Sequence, residues 1–410
     1  MPRRSISLFR RIEQALETIA LGSTPLETIH DTAQLLARVF AEDLGIRGGR
    51  IYSQDNGSYE LVTTFGDVAK APLGLRIWRT YPPFEQLLDT GSLVMSRDDA
   101  RLDQRLEADL GTRDWFAAVS VADGRFVLSF DILQGIEVRD DLIATLNIIR
   151  LAINQKLRDE QMQEVMEEAR LIQSSILPRH LPRTGDFEIA ARSVTAEVVG
   201  GDFYDVITLA EDLFVVVVAD ATGHGLPAAL QVRDVFTGLR MGLSREFKLT
   251  ATVERLNTII HRSRLATKFV SLFLAELHAN GTVLYCNAGH PPALLIHDDG
   301  LTDRLQTGGM IIGPTPSATY EIGITQIDPG ELLVLYTDGV IEARAPGSTE
   351  EYGEDRLLHV VHTARRRDPV AIVERVIADL AEFSQTSHPT DDQTVVVVKR
   401  RAEELEEAPA

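Results

Sequence analysis

Cysteine is almost missing from this chain of 410 residues. Cys286 stands alone, so no disulfide can close within the chain and no thiolate cluster can hold a metal. Pro292 occupies the place where the phosphate loop of a cysteine-nucleophile phosphatase needs its arginine, which excludes that chemistry. Long apolar runs are missing too: the longest, residues 213–219, falls far short of the roughly 18 that a membrane span requires. The opening "MPRRSISLFRRIEQALETIA" has no apolar signal core and soon turns acidic, so it reads as an amphipathic helix, with a cytoplasmic location as the expectation. Positive charge is scarce, with 41 Lys and Arg against 61 Asp and Glu. The resulting net charge of -20 repels phosphodiester backbones and argues against a nucleic-acid partner, while it favours cations.

What is present falls into regions. Within residues 1–140, helical periodicity gives way to "GGRIYSQDNGSYELVTTFG" and "WFAAVSVADGRFVLSFDI", each read as two strands joined at Asn56-Gly57 or Asp123-Gly124. Such dipeptides supply the positive φ that tight hairpins demand. Residues 141–176 contain neither Gly nor Pro and read as one long helix that stops at Pro178. Leu146, Ile149, Ile153 and Leu157 make one apolar stripe on it, and Met162, Val165, Ala169, Ile172 and Ile176 make a second in a different register. Two readings stay open, a helix packed on its own domain or a parallel dimeric coiled coil that relays a signal through the register break at residues 158–161. From residue 179 to 401, β-branched runs alternate with amphipathic helices. Strands are predicted at 213–219, 270–277, 282–287, 293–297, 332–337 and 394–398, and helices at 226–243, 251–263 and 369–383. Residues 402–410 form an acidic tail. The fold class is α+β.

Four acidic spots share one context, a carboxylate at a predicted strand end beside a glycine or polar turn residue. They are Asp202 in "VVGGDFYDV", Asp220 in "VVVVADATGHG", Asp338 in "LLVLYTDGVIEA", and Asp391 with Asp392 in "HPTDDQTVVVV". A single aspartate in such a place is ordinarily a turn former or helix cap. Massed at one end of a sheet, however, carboxylates repel one another unless cations neutralise them, and hard divalent ions take oxygen ligands of this kind.

On these motifs, with "FVSLFLAEL", "NAGHPPALLI" and "YGEDRL" between them in order, the chain from about residue 200 to 398 resembles the metal-dependent PPM, or 2C-type, serine/threonine protein phosphatases in their bacterial SpoIIE/RsbU-like branch. "EARLIQSSILPRHLP" resembles the helix that enters that catalytic module, and the layout of residues 1–140 resembles a GAF sensory domain. No cysteine precedes Cys286, which excludes a thioether-linked bilin and leaves a small-molecule or protein signal open. The resemblance implies a β-sandwich flanked by helices on both faces, with two Mn²⁺ or Mg²⁺ ions at one end. Carried over by motif, Asp202 and Asp220 hold the metal pair, the carbonyl of Ala221 adds a ligand, and Asp338 and Asp391 complete the ligand set of the second metal, with Asp392 as the neighbouring candidate. His224 is the nearest histidine able to protonate the leaving alkoxide, a packing role being its competing assignment. No arginine matches the phosphate-binding position of many eukaryotic members.

Residues 1–140 are thus expected to be a sensor, 141–178 a linker through which the chain forms a homodimer, and 179–401 a phosphatase whose substrate is a phosphorylated STAS-type anti-sigma-factor antagonist. The competing function is a catalytically silent module that keeps the fold as a scaffold. A histidine kinase is excluded, because residues 141–177 offer no histidine to phosphorylate.

Overall fold

Asn56 at φ 44° and Gly57 at φ 82° turn the chain between β1 (Ile46–Asp55) and β2 (Ser58–Gly66), as the dipeptide predicts. Asp123 and Gly124, at φ 53° and 86°, do the same between β5 (Trp115–Val121) and β6 (Phe126–Ile132). With β3 (Arg76–Trp78) and β4 (Ser92–Ser96) these strands form an antiparallel sheet in the order β3-β2-β1-β6-β5-β4. The computed structural model describes residues 24–39, 45–68, 71–112, 114–132, 139–178, 181–182, 185–223, 225–243, 248–263 and 269–402. The helix expected at the start of the chain lies outside them.

The chain divides into two compact units, Met1–Glu164 and Val165–Ala410. In the first, α1 (Pro25–Val39) buries Ile29, Ala33 and Leu36 against one face of the sheet. Helices α2 (Pro82–Thr90) and α3 (Gln104–Leu110) belong to the other face, where Phe84 and Leu87 pack on Tyr52 and Tyr59. The long helix, α4, runs from Arg139 to Ile176, and the division between the units falls within it. Leu146, Ile149, Ile153 and Leu157 are buried in the first unit's core, so for this stripe the helix packs on its own domain. The second stripe is different: Met162, Val165 and Ile172 are 59%, 46% and 56% exposed, whereas Ala169 packs with Val199 and Ala229 in the second unit.

The second unit is a sandwich. Strands β7 (Phe187–Val194), β8 (Asp202–Ala210), β9 (Leu213–Ala221), β10 (Val270–His278), β11 (Thr282–Ala288), β12 (Ala293–Ile296), β13 (Thr302–Leu305), β14 (Gly308–Gly309), β15 (Gly323–Gln326), β16 (Leu332–Tyr336) and β17 (Gln393–Arg400) form two sheets. One has the order β14-β11-β10-β9-β8 with β15 paired to β11, the other β13-β12-β16-β17-β7. Side chains alternate between faces of a strand, and in β9 both faces are covered, which is why its sequence is continuously apolar. Val216 and Val218 meet Leu333, Leu335, Val396 and Val398 of the opposite sheet. Val215 and Val217 meet Val232, Val235 and Leu239 of α5 (Leu226–Leu243) and Val253 and Leu256 of α6 (Leu249–Arg262). A short helix α7 (Asp338–Ile341) follows β16, and α8 (Gly353–Ala364) with α9 (Pro369–Ser384) covers the outer face of the second sheet. The helix–sheet–sheet–helix layering agrees with the expected architecture.

Candidate metal centre

The four acidic spots do meet, although not all at strand ends as the sequence suggests. Asp202 begins β8 and the Asp391–Asp392 pair precedes β17, whereas Asp220 is near the end of β9 and Asp338 follows β16. Antiparallel pairing explains the discrepancy, because it sets the start of one strand beside the end of its neighbour. Asp202 is the direct cross-strand partner of Asp220, and Tyr336 at the end of β16 pairs with Val395 near the start of β17. All four spots therefore lie at one end of the sandwich.

Which way each acid points follows from strand parity. Asp202 and Asp205 are separated by an odd number of positions, so they leave β8 on opposite faces. Asp205, fully buried, turns to the helical layer and accepts 3.0 Å hydrogen bonds from Arg240 Nε and Nη2 on α5. Burial pushes its carboxyl up while Arg240 pulls it back, so its role is to anchor α5 to β8. Asp202 turns to the layer between the sheets. There it is 4% exposed and its Oδ2 accepts a 2.7 Å bond from Thr337 Oγ1, which itself accepts from the Thr394 amide at 3.0 Å. Neither threonine was singled out in the sequence, though each sits inside a motif, "YTDG" and "DDQT", where only the acids drew attention.

Crowding raises the proton affinity of the pair. Burial pushes Asp202 well above the usual carboxylate range, and the Asp220 charge adds to this against the opposing bonds from Thr394 and Thr337. Asp220 is pushed up to about 7, first by burial and then by Asp338, Asp391 and Asp392. These charges act on one another across four chain segments, and without a counter-charge the cheapest relief is to hold a proton.

Asp392 has another task. Its Oδ1 accepts from the Ala196 amide at 2.7 Å, and its Oδ2 from the Gly201 and Asp202 amides at 2.5 and 3.4 Å. Three backbone donors thus occupy most of its acceptor capacity, and the carboxylate shapes the "VVGGD" loop. Asp391 is exposed and accepts from the Asp392 amide, and Asp338 accepts from the Gly339 amide. Gly339 has to be glycine, since a Cβ there would collide with the Asp392 backbone.

The residues fit a hard cation. A Cβ on Gly201 would stand 2.6 Å from the Ala221 carbonyl oxygen and 3.2 Å from both Asp220 Oδ1 and the Gly223 carbonyl, so these three oxygens surround a space that any side chain would fill. Every donor is oxygen, as Mg²⁺ and Mn²⁺ prefer. Among the described residues no three His, Cys, Asp or Glu side chains are grouped closely enough to hold an ion by themselves, so carbonyl oxygens and water have to contribute. His224 lies outside the described residues.

Sequence reasoning also overlooked Gln173 on α4. This buried side chain donates from Nε2 to the Gly200 carbonyl at 2.6 Å and accepts from the Gly200 amide at Oε1 at 3.0 Å, clamping both backbone groups of the residue next to the cradle. The only sequence signal was its place in "LIQSSILP".

The two-sheet sandwich between helical layers, with acids gathered at one end, has a PP2C-type fold. The SiaA-PP2C domain of Pseudomonas aeruginosa has the same fold, with a TM-score of 0.51 at 23% identity over 59% of this chain and 98% of that one. Residues 210–401 match the family model of stage II sporulation protein E (SpoIIE). Similar curated proteins are protein IcfG of Synechocystis sp., 30% identical over 69% of this chain, and phosphoserine phosphatase RsbU of Bacillus subtilis, 24% identical over 59%. The chain spans 50% of the length of IcfG and 72% of that of RsbU. Among the described residues no helix is long and apolar enough to cross a membrane.

Proposed function

We propose that the chain is a metal-dependent protein serine/threonine phosphatase, its site built from Asp202, Asp220, Asp338, Asp391 and the Ala221 carbonyl. The observation that carries the reading is that Asp220, whose Oδ1 borders the space above Gly201 with the Ala221 carbonyl, pairs across the strands with Asp202 and feels the charges of Asp338, Asp391 and Asp392. Two Mn²⁺ or Mg²⁺ ions held there would neutralise the carboxylates, lower the pKa of water and clamp a phosphoryl group. The protein's own part is positional. Thr337 orients Asp202, Asp392 fixes the loop that carries Gly201, and the absence of a side chain at Gly201 keeps the cradle open. Asp391, with its carboxylate exposed, is better suited than Asp392 to reach an ion. His224 is assigned the proton for the departing serine or threonine oxygen.

The substrate class follows from the resemblance: a phosphoserine or phosphothreonine on a STAS-type anti-sigma-factor antagonist. The first unit is read as a GAF-like sensor for a small molecule or a protein. Its cavity, lined by Arg50, Tyr52, Tyr81, Phe84 and Glu107, has a volume of ≈ 30 Å³, room for about two waters as it stands. The exposed Met162, Val165 and Ile172 support a homodimer formed along α4, and the Gln173 clamp supports a relay from that helix to the metal loop. The site itself belongs to a chain acting in the cytoplasm.

The test is a manganese-dependent dephosphorylation assay on a phosphoserine peptide, with the native chain beside Asp220→Asn. The expected loss is at least about a thousandfold in turnover, on the order of 4 kcal/mol of barrier, with the fold retained. A native chain that binds Mn²⁺ and hydrolyses no phosphopeptide or phosphoprotein would favour the silent scaffold.

A further inference from the structure

His290 of "NAGH" takes no part in the site described so far, yet it is among the most constrained polar side chains in the sandwich. It is 5% exposed. Its backbone is held by Asn287, whose Oδ1 accepts from the His290 amide at 2.8 Å and whose Nδ2 donates to the His290 carbonyl at 2.9 Å. Gly289, at φ 70°, makes the turn possible and lets the chain press against the Ile311 backbone, where any Cβ would collide. Such a turn delivers the imidazole to one place.

That place is between the two sheets. Nδ1 is 2.7 Å from Ser271 Oγ, and Ser271 is the direct cross-strand neighbour of Asp220. Asp202, Asp220 and Ser271 thus form one row across β8, β9 and β10, on the face that looks into the sandwich. Nε2 has no hydrogen-bond partner, and the Tyr336 backbone is close enough to act on the ring. Tyr336 belongs to the opposite sheet and leads through Thr337, the donor to Asp202, into Asp338. Burial pushes the imidazole down to about 3, so it is neutral, with Nδ1 paired to the Ser271 hydroxyl. A polar group kept this dry and half satisfied calls for an explanation beyond packing.

We propose that His290 is a positioning residue for the metal centre, a buried strut between the sheets that holds Ser271, and through it the Asp220 row of one sheet, against the strand of the other sheet that presents Thr337 and Asp338. The role rests on the metal-site reading above. It requires the spacing of the carboxylates, and hence the affinity for the ion, to depend on a side chain that touches neither.

Mn²⁺ binding to the full chain tests it without recourse to turnover, by titration and by the electron paramagnetic resonance line shape of the bound ion. Ser271→Ala and His290→Phe are each expected to weaken Mn²⁺ binding about tenfold and alter the line shape, with the metal-free melting temperature nearly unchanged. The double variant is expected to lose no more than the worse single one, since both break the same strut. His290→Asn, which keeps an acceptor near the Nδ1 position, is expected to recover part of the affinity. Native affinity and line shape in folded Ser271→Ala, or losses that simply add in the double variant, would overturn the role while leaving the metal site standing. If His290→Phe does not fold, Ser271→Ala decides alone. A native chain that takes up no Mn²⁺, with Asp220→Asn indistinguishable from it, would overturn the site and this role together.

Discussion

Asp220 carries a pH dependence whose sign is fixed by its surroundings. Its folded-state pKa is raised from the ordinary carboxylate range to about 7, so the metal-free folded protein binds more protons than the unfolded chain throughout that window. Stability therefore falls as pH rises from about 4 to 7, the reverse of a carboxylate paired with a cation. Without metal, the melting temperature is expected to drop over this range. With saturating Mn²⁺ the drop should vanish, because the ion replaces the proton, and its affinity should itself weaken below about pH 7. Asp220→Asn should flatten the metal-free profile and take up no manganese. Differential scanning fluorimetry across pH, with and without Mn²⁺, reads all three. At this scale the sequence was informative about identity only: it named Asp202, Asp220, Asp338 and Asp391, but the threonine that orients Asp202 and the amides that engage Asp392 are neighbours only in space.

Elements set how close those residues come. Gly201→Ala would drive a methyl group to 2.6 Å from the Ala221 oxygen, in a loop already held by Asp392, so neither side can yield cheaply. The expected outcome is a folded protein whose Mn²⁺ affinity falls by at least about tenfold, or 1.4 kcal/mol, measured by calorimetry. Gln173→Ala acts from α4. It removes two hydrogen bonds from buried backbone of Gly200, a loss of about 1–3 kcal/mol, and frees the loop next to the cradle. The apparent Mn²⁺ requirement for turnover is expected to rise several-fold, while kcat at saturation changes less. Much of this level was readable in advance. The helix expected at 226–243 is Leu226–Leu243, and the strand expected at 270–277 is Val270–His278. Strand β7 and helix α8 went unread. "FEIAARSV" mixes Glu188, Arg192 and Ser193 among its apolar positions because it is the last strand of its sheet, and "GEDRLLHVVHTA" buries only Leu357, Val360, Val361 and Ala364. Half-covered elements give weak periodicity.

At the scale of the whole molecule, α4 is where regulation would act. Its first stripe is buried in the first unit, so residues 1–140 are not a removable module: cutting there would expose Leu146, Ile149, Ile153 and Leu157. A cut after Glu164 respects the division of the chain. Removal of residues 1–164 is expected to leave a folded, Mn²⁺-binding second unit, to shift the molecule from dimer to monomer in sedimentation, and to change phosphatase activity by at least about fivefold, the lower range of allosteric coupling. Unchanged activity and mass would remove the relay from the proposal.

Taken by itself, the amino-acid order determined the kinds of element, the hairpins at Asn56-Gly57 and Asp123-Gly124, the layered class of the second unit and the acids that gather at one end of it. Those depend on local dihedral preference and on the period of burial, both written along the chain. Only the tertiary structure decided that Asp205 faces Arg240 while Asp202 faces Thr337 between the sheets, that Asp392 binds backbone, and that Gln173 and His290 reach the site's surroundings. The partners in those contacts stand 27 to 196 residues apart, save His290 with Ser271 at 19. Separations of that size are closed by strand pairing and sheet packing, which no local pattern encodes.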